Sequence, residues 1–194
     1  MATRQLNVIF FGDSICRGQY VTVHKGWVHK LSAALDEQGR DLGVDLVVAN
    51  ASINGETSRD ALGRIAYDVQ QQGPSLVLIQ FGMNDCNYWA TDNGVPRTAR
   101  RAFAANLHEM IDRVRAAGAE RVLMNTNHPT TRTRETFTRA DLTYEDSNQA
   151  YNELIRGIAE ERSGEVRLLD VGARVQDDIA AGKYTVSEFV LSDG

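Results

Sequence analysis

The chain has 194 residues, of which 42% are hydrophobic and 24% are charged, a composition that fits one globular domain with a sizeable core. The formal net charge is −5 and the sequence pI is near 5.4, which excludes the basic footprint typical of nucleic-acid-binding proteins. No stretch approaches the roughly 18 apolar residues of a membrane-spanning helix, and the first residues lack the pattern of a signal peptide. We therefore expect a cytoplasmic protein whose partner is a small molecule.

Short apolar runs predict five buried strands, at 6–11, 45–49, 75–81, 121–125 and 166–171. None alternates with polar residues, as is typical of parallel strands buried on both faces. Between the runs, apolar residues recur at helical spacing, and Gly39, Gly73, Gly118 and Gly164 follow the helical stretches as expected C-terminal caps. This alternation predicts a single domain over residues 1–194 with a three-layer α/β/α fold around a five-stranded parallel sheet.

Each of the first three predicted strands ends in a small polar cluster, and these clusters contain Ser14, Gly55 and Asn84. Because the carboxyl ends of parallel strands meet at one edge of a sheet, we expect the three clusters to lie close together. The backbone N–H groups of Ser14 and Gly55 and the side-chain amide of Asn84 would then donate to one oxyanion, formed when Ser14 attacks an acyl carbonyl. Taken singly, each residue also fits an ordinary turn or helix cap. Together they indicate nucleophilic catalysis.

The segments Gly-Asp-Ser at 12–14, Asn-Gly-Glu-Thr-Ser at 54–58 and Gly-Met-Asn-Asp at 82–85 resemble three motif blocks of the SGNH (GDSL) hydrolases. The stretch 50–62 especially resembles bacterial members of the thioesterase and lysophospholipase type. The resemblance implies a flavodoxin-like fold, Ser14 as nucleophile, and an oxyanion hole made by Ser14, Gly55 and Asn84. It further implies hydrolysis of carboxylic esters or thioesters through an acyl-enzyme, without metal or cofactor.

The fourth motif block of that family, Asp-x-x-His, is matched only by Asp193, and its histidine would fall two residues beyond Gly194. A serine hydroxyl needs a neighbouring base to become a good nucleophile at neutral pH. We therefore expect the chain to be truncated before the catalytic histidine. Among the histidines present, His128, after the fourth strand, is the better candidate for a substitute base. We nevertheless expect it to contact substrate or support the structure. The alternative function is an impaired acyl- or glycan-binding module on a hydrolase scaffold.

Aromatic residues flank the predicted site on both sides. Tyr88 and Trp89 follow Asn84 closely, and Trp27 follows the Ser14 turn, so the three are candidates for the walls of a substrate pocket. Local packing is an equally good interpretation of these aromatic residues. Cys16 lies two residues after Ser14, and Cys86 lies two residues after Asn84. We expect two buried thiols or, if the two loops touch, a redox pair. The chain has no P-loop and no clustered metal-ligand spacing, which disfavours phosphate or metal chemistry.

Overall fold

The computed structural model describes residues 4–188, in which five strands form one parallel sheet with the order β2-β1-β3-β4-β5. The strands are β1 (Arg4–Gly12), β2 (Val44–Asn50), β3 (Leu76–Gln80), β4 (Arg121–Asn125) and β5 (Val166–Leu169). The α-helices are α1 (Ser14–Arg17), α2 (Trp27–Asp41), α3 (Ser58–Leu62), α4 (Ile65–Asp68), α5 (Arg100–Ala116), α6 (Tyr144–Glu161) and α7 (Val171–Ala180). This strand order is the flavodoxin-like one, so the predicted fold class is confirmed.

Alternate residues of β1 serve two separate hydrophobic clusters, because successive side chains of a strand point to opposite faces of the sheet. Ile9 and Phe11 join the larger cluster, to which α3, α4, α5 and α6 contribute. Val8 and Phe10 join the smaller cluster, to which α2 contributes Val28. The sheet therefore lies between two layers of helices, as the alternation of elements predicted.

The predicted strands agree with the observed ones except at the last, where residues 170 and 171 were expected to continue the strand. Instead, the carboxylate of Asp170 accepts a hydrogen bond from the backbone N–H of Ala173 at 3.1 Å and caps α7, which the apolar pattern did not predict. Asp170 also pairs with Arg156 of α6. Capping and this ion pair end β5 at Leu169.

The prediction that Gly39 caps a helix is wrong, because α2 continues to Asp41 and Gly39 lies buried inside it. A Cβ atom at Gly39 would lie 3.1 Å from the carbonyl oxygen of Val44 and 3.2 Å from Cδ1 of Leu46. The residue therefore permits close approach of helix and strand. The left-handed turn comes later, at Gly43 with φ of 70°.

Cys16 and Cys86 are both free and buried, and they belong to the two different hydrophobic clusters. Burial raises the pKa of the Cys16 thiol to about 12 and raises the pKa of Cys86 as well. Both therefore carry neutral thiols at physiological pH, as expected of small buried hydrophobic residues. Along residues 4–188, no helix is both long enough and apolar enough to cross a membrane.

Candidate active site

The polar clusters after β1, β2 and β3 meet at the carboxyl edge of the sheet. The side-chain Nδ2 of Asn84 donates to the carbonyl oxygen of Glu56 at 3.0 Å and lies 3.5 Å from Oδ2 of Asp13. The backbone N–H of Ile53 donates to the carbonyl oxygen of Gly12 at 3.0 Å. Ser14, Gly55 and Asn84 are thus carried by three segments that contact one another, as their positions at successive strand ends predicted.

Ser14 is half-buried and is the first residue of α1, directly after the turn that ends β1. Asp13 caps this short helix, since its carboxylate accepts from the backbone N–H of Ile15 at 2.9 Å. The turn is tight: a Cβ atom at Gly12 would lie 2.6 Å from the carbonyl oxygen of Gln80 and 2.8 Å from Cβ of Cys16. Glycine at position 12 is therefore required for β1 to deliver Ser14 at this point.

Gly55 lies exposed in the loop between β2 and α3, with φ of 75°. Among residues 4–188, apart from Gly55 and its two chain neighbours, no atom lies within 4 Å of the place where its Cβ would stand, so the backbone angle and not space demands glycine. Its carbonyl oxygen accepts from Nη1 of Arg97 at 3.1 Å. This contact connects the Gly55 loop to the segment that follows Asn84.

Asp85, the neighbour of Asn84, is fully buried and holds its loop against the start of α3. Its carboxylate accepts from the backbone N–H of Ser58 at 3.0 and 3.1 Å and from the Ser58 hydroxyl at 2.6 Å. Burial raises the pKa of Asp85 despite these hydrogen bonds. The motif pattern indicated Asn84 and not Asp85, whose partner Ser58 lies 27 positions away in the chain.

Asp13 is a further buried carboxyl beside the candidate nucleophile. Its pKa is raised to about 7, chiefly by burial and also by the nearby charges of Asp85 and Glu56, while the hydrogen bond from Ile15 opposes the shift. Three acidic side chains, those of Asp13, Asp85 and Glu56, therefore lie close enough to influence one another next to the contacting segments. One of them, Glu56, is neutralised by a bidentate ion pair with Arg64 that the sequence pattern did not reveal.

The three candidate pocket aromatics lie in different surroundings. The half-buried ring of Tyr88 stacks on Phe137 at 4.6 Å between centroids. Trp89 is 51% exposed and carries the guanidinium of Arg97 at 4.1 Å from its ring centroid. Trp27 is half-buried beneath α1, where its Nε1 donates to the carbonyl oxygen of Ile15 at 2.9 Å. Trp89 thus offers the largest open aromatic surface, and Trp27 supports the turn.

His128 follows β4, as expected, and its Nδ1 lies 2.8 Å from the carbonyl oxygen of Pro129. Its own carbonyl oxygen accepts from the Asn148 side chain at 3.0 Å, so the segment is held to α6. Asp193 lies outside the described residues. Within residues 4–188, no three His, Cys, Asp or Glu side chains are grouped so that they could hold a metal ion.

The pattern of the GDSL-like lipase/acylhydrolase family matches residues 10–189, which is most of the chain and includes all three meeting segments. The chain belongs to this family. Members of the GDSL-like family are described as lipases and acylhydrolases, so the chain is a member of a group of ester-cleaving hydrolases. The family assignment expected from the three motif blocks is therefore confirmed.

Curated relatives match 61–63% of the chain. An arylesterase of Vibrio mimicus is 32% identical over 122 residues, and the esterase TesA of Pseudomonas aeruginosa is 33% identical over 122 residues. Each alignment covers 63% of this chain and 55% of the relative. The chain thus spans about half the length of the curated relatives it matches.

Solved structures of other proteins share the fold at low sequence identity. The acetylxylan esterase Axe2 of Geobacillus stearothermophilus superposes with a TM-score of 0.71 at 19% identity, covering 93% of this chain and 83% of Axe2. LAE5, an enzyme from the metagenome of Lake Arreo, gives a TM-score of 0.73 at 20% identity, covering 97% of this chain and 86% of LAE5. These likenesses establish a common α/β/α architecture.

Proposed function

We propose that the protein is a serine esterase that hydrolyses carboxylic esters or thioesters of small acyl, sugar-acetyl or lipid type. Family membership and the two esterases among the curated relatives support the reaction class. The observation that carries the proposal is the meeting of three segments, in which the Asn84 amide bonds the Glu56 carbonyl next to Gly55 and lies against Asp13 next to Ser14.

In the proposed reaction, Oγ of Ser14 attacks the acyl carbon and its proton passes to a histidine base that Asp193 orients. The N–H groups of Ser14 and Gly55 and the Asn84 amide stabilise the oxyanion of the tetrahedral intermediate. When the C–O or C–S bond to the leaving group breaks, the base returns the proton to that group and an acyl-enzyme remains. Water then attacks the acyl carbon by the same route and releases the acid. No cofactor enters these steps.

Tyr88 and Trp89, in the loop after Asn84, form a wall of the proposed substrate site. Trp89, exposed and stacked with Arg97, lies one residue beyond Tyr88 in the loop after Asn84, and Arg97 in turn contacts the Gly55 carbonyl. A flat aromatic surface that is connected to the Gly55 loop through Arg97 suits an aryl or sugar ring on the alcohol side of the ester. His128 is proposed to contact substrate from the β4 side.

Substitution of Ser14 by alanine in the full-length protein tests the nucleophile. We expect Ser14→Ala to abolish hydrolysis of p-nitrophenyl acetate and labelling by a fluorophosphonate probe, because no hydroxyl remains to form the acyl-enzyme. Ser163→Ala, at an exposed position, should leave both unchanged. Circular dichroism and urea unfolding check that both variants fold.

Hydrolysis by Ser14→Ala at the wild-type rate would contradict the assignment of the nucleophile. A wild-type protein that binds an ester saturably without cleaving it would favour the alternative, an acyl- or glycan-binding module. Identification of the labelled residue by mass spectrometry separates Ser14 from other serines.

A further inference from the structure

Arg64, between α3 and α4, holds both ends of the loop that carries Gly55. Its Nη1 donates to the carbonyl oxygen of Ala51, at the start of the loop, at 2.6 Å. Its Nε donates to Oε1 of Glu56, at the end of the loop, at 2.6 Å, and its Nη2 donates to Oε2 of the same carboxylate. A single guanidinium therefore bridges residues 51 and 56.

The guanidinium itself is fixed from two further directions. Its Nη1 also donates to Oδ2 of Asp68 in α4 at 2.7 Å, and its Cζ lies 4.8 Å from the ring centroid of Phe11 in β1. The Arg64 side chain is only 16% exposed. Because Phe11 is fully buried in the larger hydrophobic cluster, the loop is anchored through Arg64 to the core of the sheet.

Glu56 connects Arg64 to Asn84. Its side chain is 7% exposed, and a carboxylate at that depth is stable only when it is paired and hydrogen-bonded. Arg64 therefore determines where the Glu56 carboxylate lies, and with it the Glu56 backbone. The carbonyl oxygen of Glu56 accepts from Nδ2 of Asn84 at 3.0 Å, so a shift of Glu56 would move the Asn84 amide.

We propose that Arg64 is a positioning residue for ester hydrolysis, acting through Ala51 and Glu56 to aim the Gly55 N–H and the Asn84 amide at one point. This inference rests on the function proposed above. In the proposed reaction Arg64 contacts neither the acyl group nor the leaving group of the substrate, so it contributes only by fixing the positions of the oxyanion donors. These donors act chiefly in the transition state, so loss of Arg64 lowers kcat and leaves KM nearly unchanged.

The test compares Arg64→Ala and Arg64→Lys with Arg59→Ala, an exposed arginine on the neighbouring helix α3. With p-nitrophenyl acetate, we expect Arg64→Ala to lower kcat roughly 10- to 100-fold with KM within about twofold, as for a displacement of catalytic groups by about 1 Å. Arg64→Lys should recover little, because an ammonium cannot reproduce the bidentate fork. Arg59→Ala should retain wild-type kcat.

Rescue by free guanidinium distinguishes positioning from a merely structural role. Guanidinium ions, added well below denaturing concentrations, should restore part of the kcat of Arg64→Ala and should not raise that of Ser14→Ala or wild type. If Arg64→Ala does not fold, Glu56→Gln takes its place, since it keeps the backbone carbonyl and weakens the pairing. We expect kcat to fall in this variant too.

Wild-type kcat in Arg64→Ala, or in Glu56→Gln where that variant is used, would overturn the inference. So would a kcat loss matched by the unfolded fraction and not rescued by guanidinium. Failure of the proposed function gives a different result, because the wild type would then be inactive or Ser14→Ala would retain activity.

Discussion

At the scale of single residues, Asp13 is a carboxyl group that the fold removes from water. It is completely buried beside Ser14, and burial raises its pKa to about 7, with Asp85 and Glu56 adding to the shift. In the unfolded chain an aspartate has a pKa near 4. At a pH between these two pKa values, Asp13 is protonated in the folded protein and ionised in the unfolded chain.

The stabilisation from this proton is fully present below about pH 4 and is lost as pH rises through about 7. In that window we expect the contribution of Asp13 to the free energy of unfolding to fall by about 1.4 kcal/mol per pH unit. Asp13→Asn should remove this fall, whereas Asp41→Asn, at an exposed position, should not. Urea unfolding at about pH 5 and about pH 8 measures the difference. Parallel pH profiles for Asp13→Asn and wild type would refute the assigned titration.

At the scale of elements, the loop between β2 and α3 depends on a backbone angle at Gly55 that other residues adopt only at a cost. Gly55 and Gly43 share nearly the same left-handed angle, 75° and 70°, and both have open space where a Cβ would stand. Gly43 lies before β2 and Gly55 after it, at opposite ends of the strand. The two therefore form a matched pair that differs in distance from the candidate site.

We expect Gly55→Ala and Gly43→Ala to lower the free energy of unfolding similarly, by about 1 kcal/mol, because each places a Cβ in the left-handed region. Only Gly55→Ala should lower kcat/KM for p-nitrophenyl acetate, because strain relief there reorients the proposed oxyanion N–H. Steady-state kinetics and urea unfolding on both variants check this. Equal activity of the two alanine variants would remove the Gly55 N–H from the oxyanion site.

At the scale of the whole molecule, the two faces of the sheet have cores of different size. Ile79 and Leu78 are neighbours in β3, each 1% exposed, and they serve the larger and the smaller cluster respectively. Several partners of Leu78 are only half-buried, among them Leu76 and Leu123. If a side chain of the smaller cluster is shortened, its surroundings can therefore close around the gap, or admit water, more easily than the surroundings of a residue packed beneath α3–α6.

We expect Ile79→Ala and Leu78→Ala each to lower the free energy of unfolding by about 2–5 kcal/mol, with the larger loss at Ile79. The reason is that the rigid surroundings of Ile79 collapse less around the missing side chain. Urea titration with a common m-value measures both. A larger loss at Leu78 would show that α2 packs as tightly as the opposite layer.

Much of this architecture was predictable, because strands buried on both faces appear as unbroken apolar runs and parallel strands bring their carboxyl ends together. Ser14, Gly55 and Asn84 lie on contacting segments for that reason. The contacts of Arg64 were not predictable, since Ala51 and Glu56 lie in a loop, where no helix or strand period relates them to Arg64. Trp27 was expected at a pocket wall, yet its ring packs edge-on against Phe10 at 5.7 Å. Burial of a large aromatic area there outweighs exposure at the site.

The residues on both sides of Asn84 are held by α6, which comes some sixty positions later in the chain. The Tyr144 hydroxyl donates to the Met83 carbonyl oxygen, and Oγ of Ser147 donates to the Cys86 carbonyl oxygen at 2.8 Å. During synthesis on the ribosome, the segments with Ser14, Gly55 and Asn84 all emerge before this helix. A nascent chain stalled ahead of α6 would thus present every proposed oxyanion donor without the hydrogen bonds that keep Asn84 in place, and activity would begin only after α6 has docked.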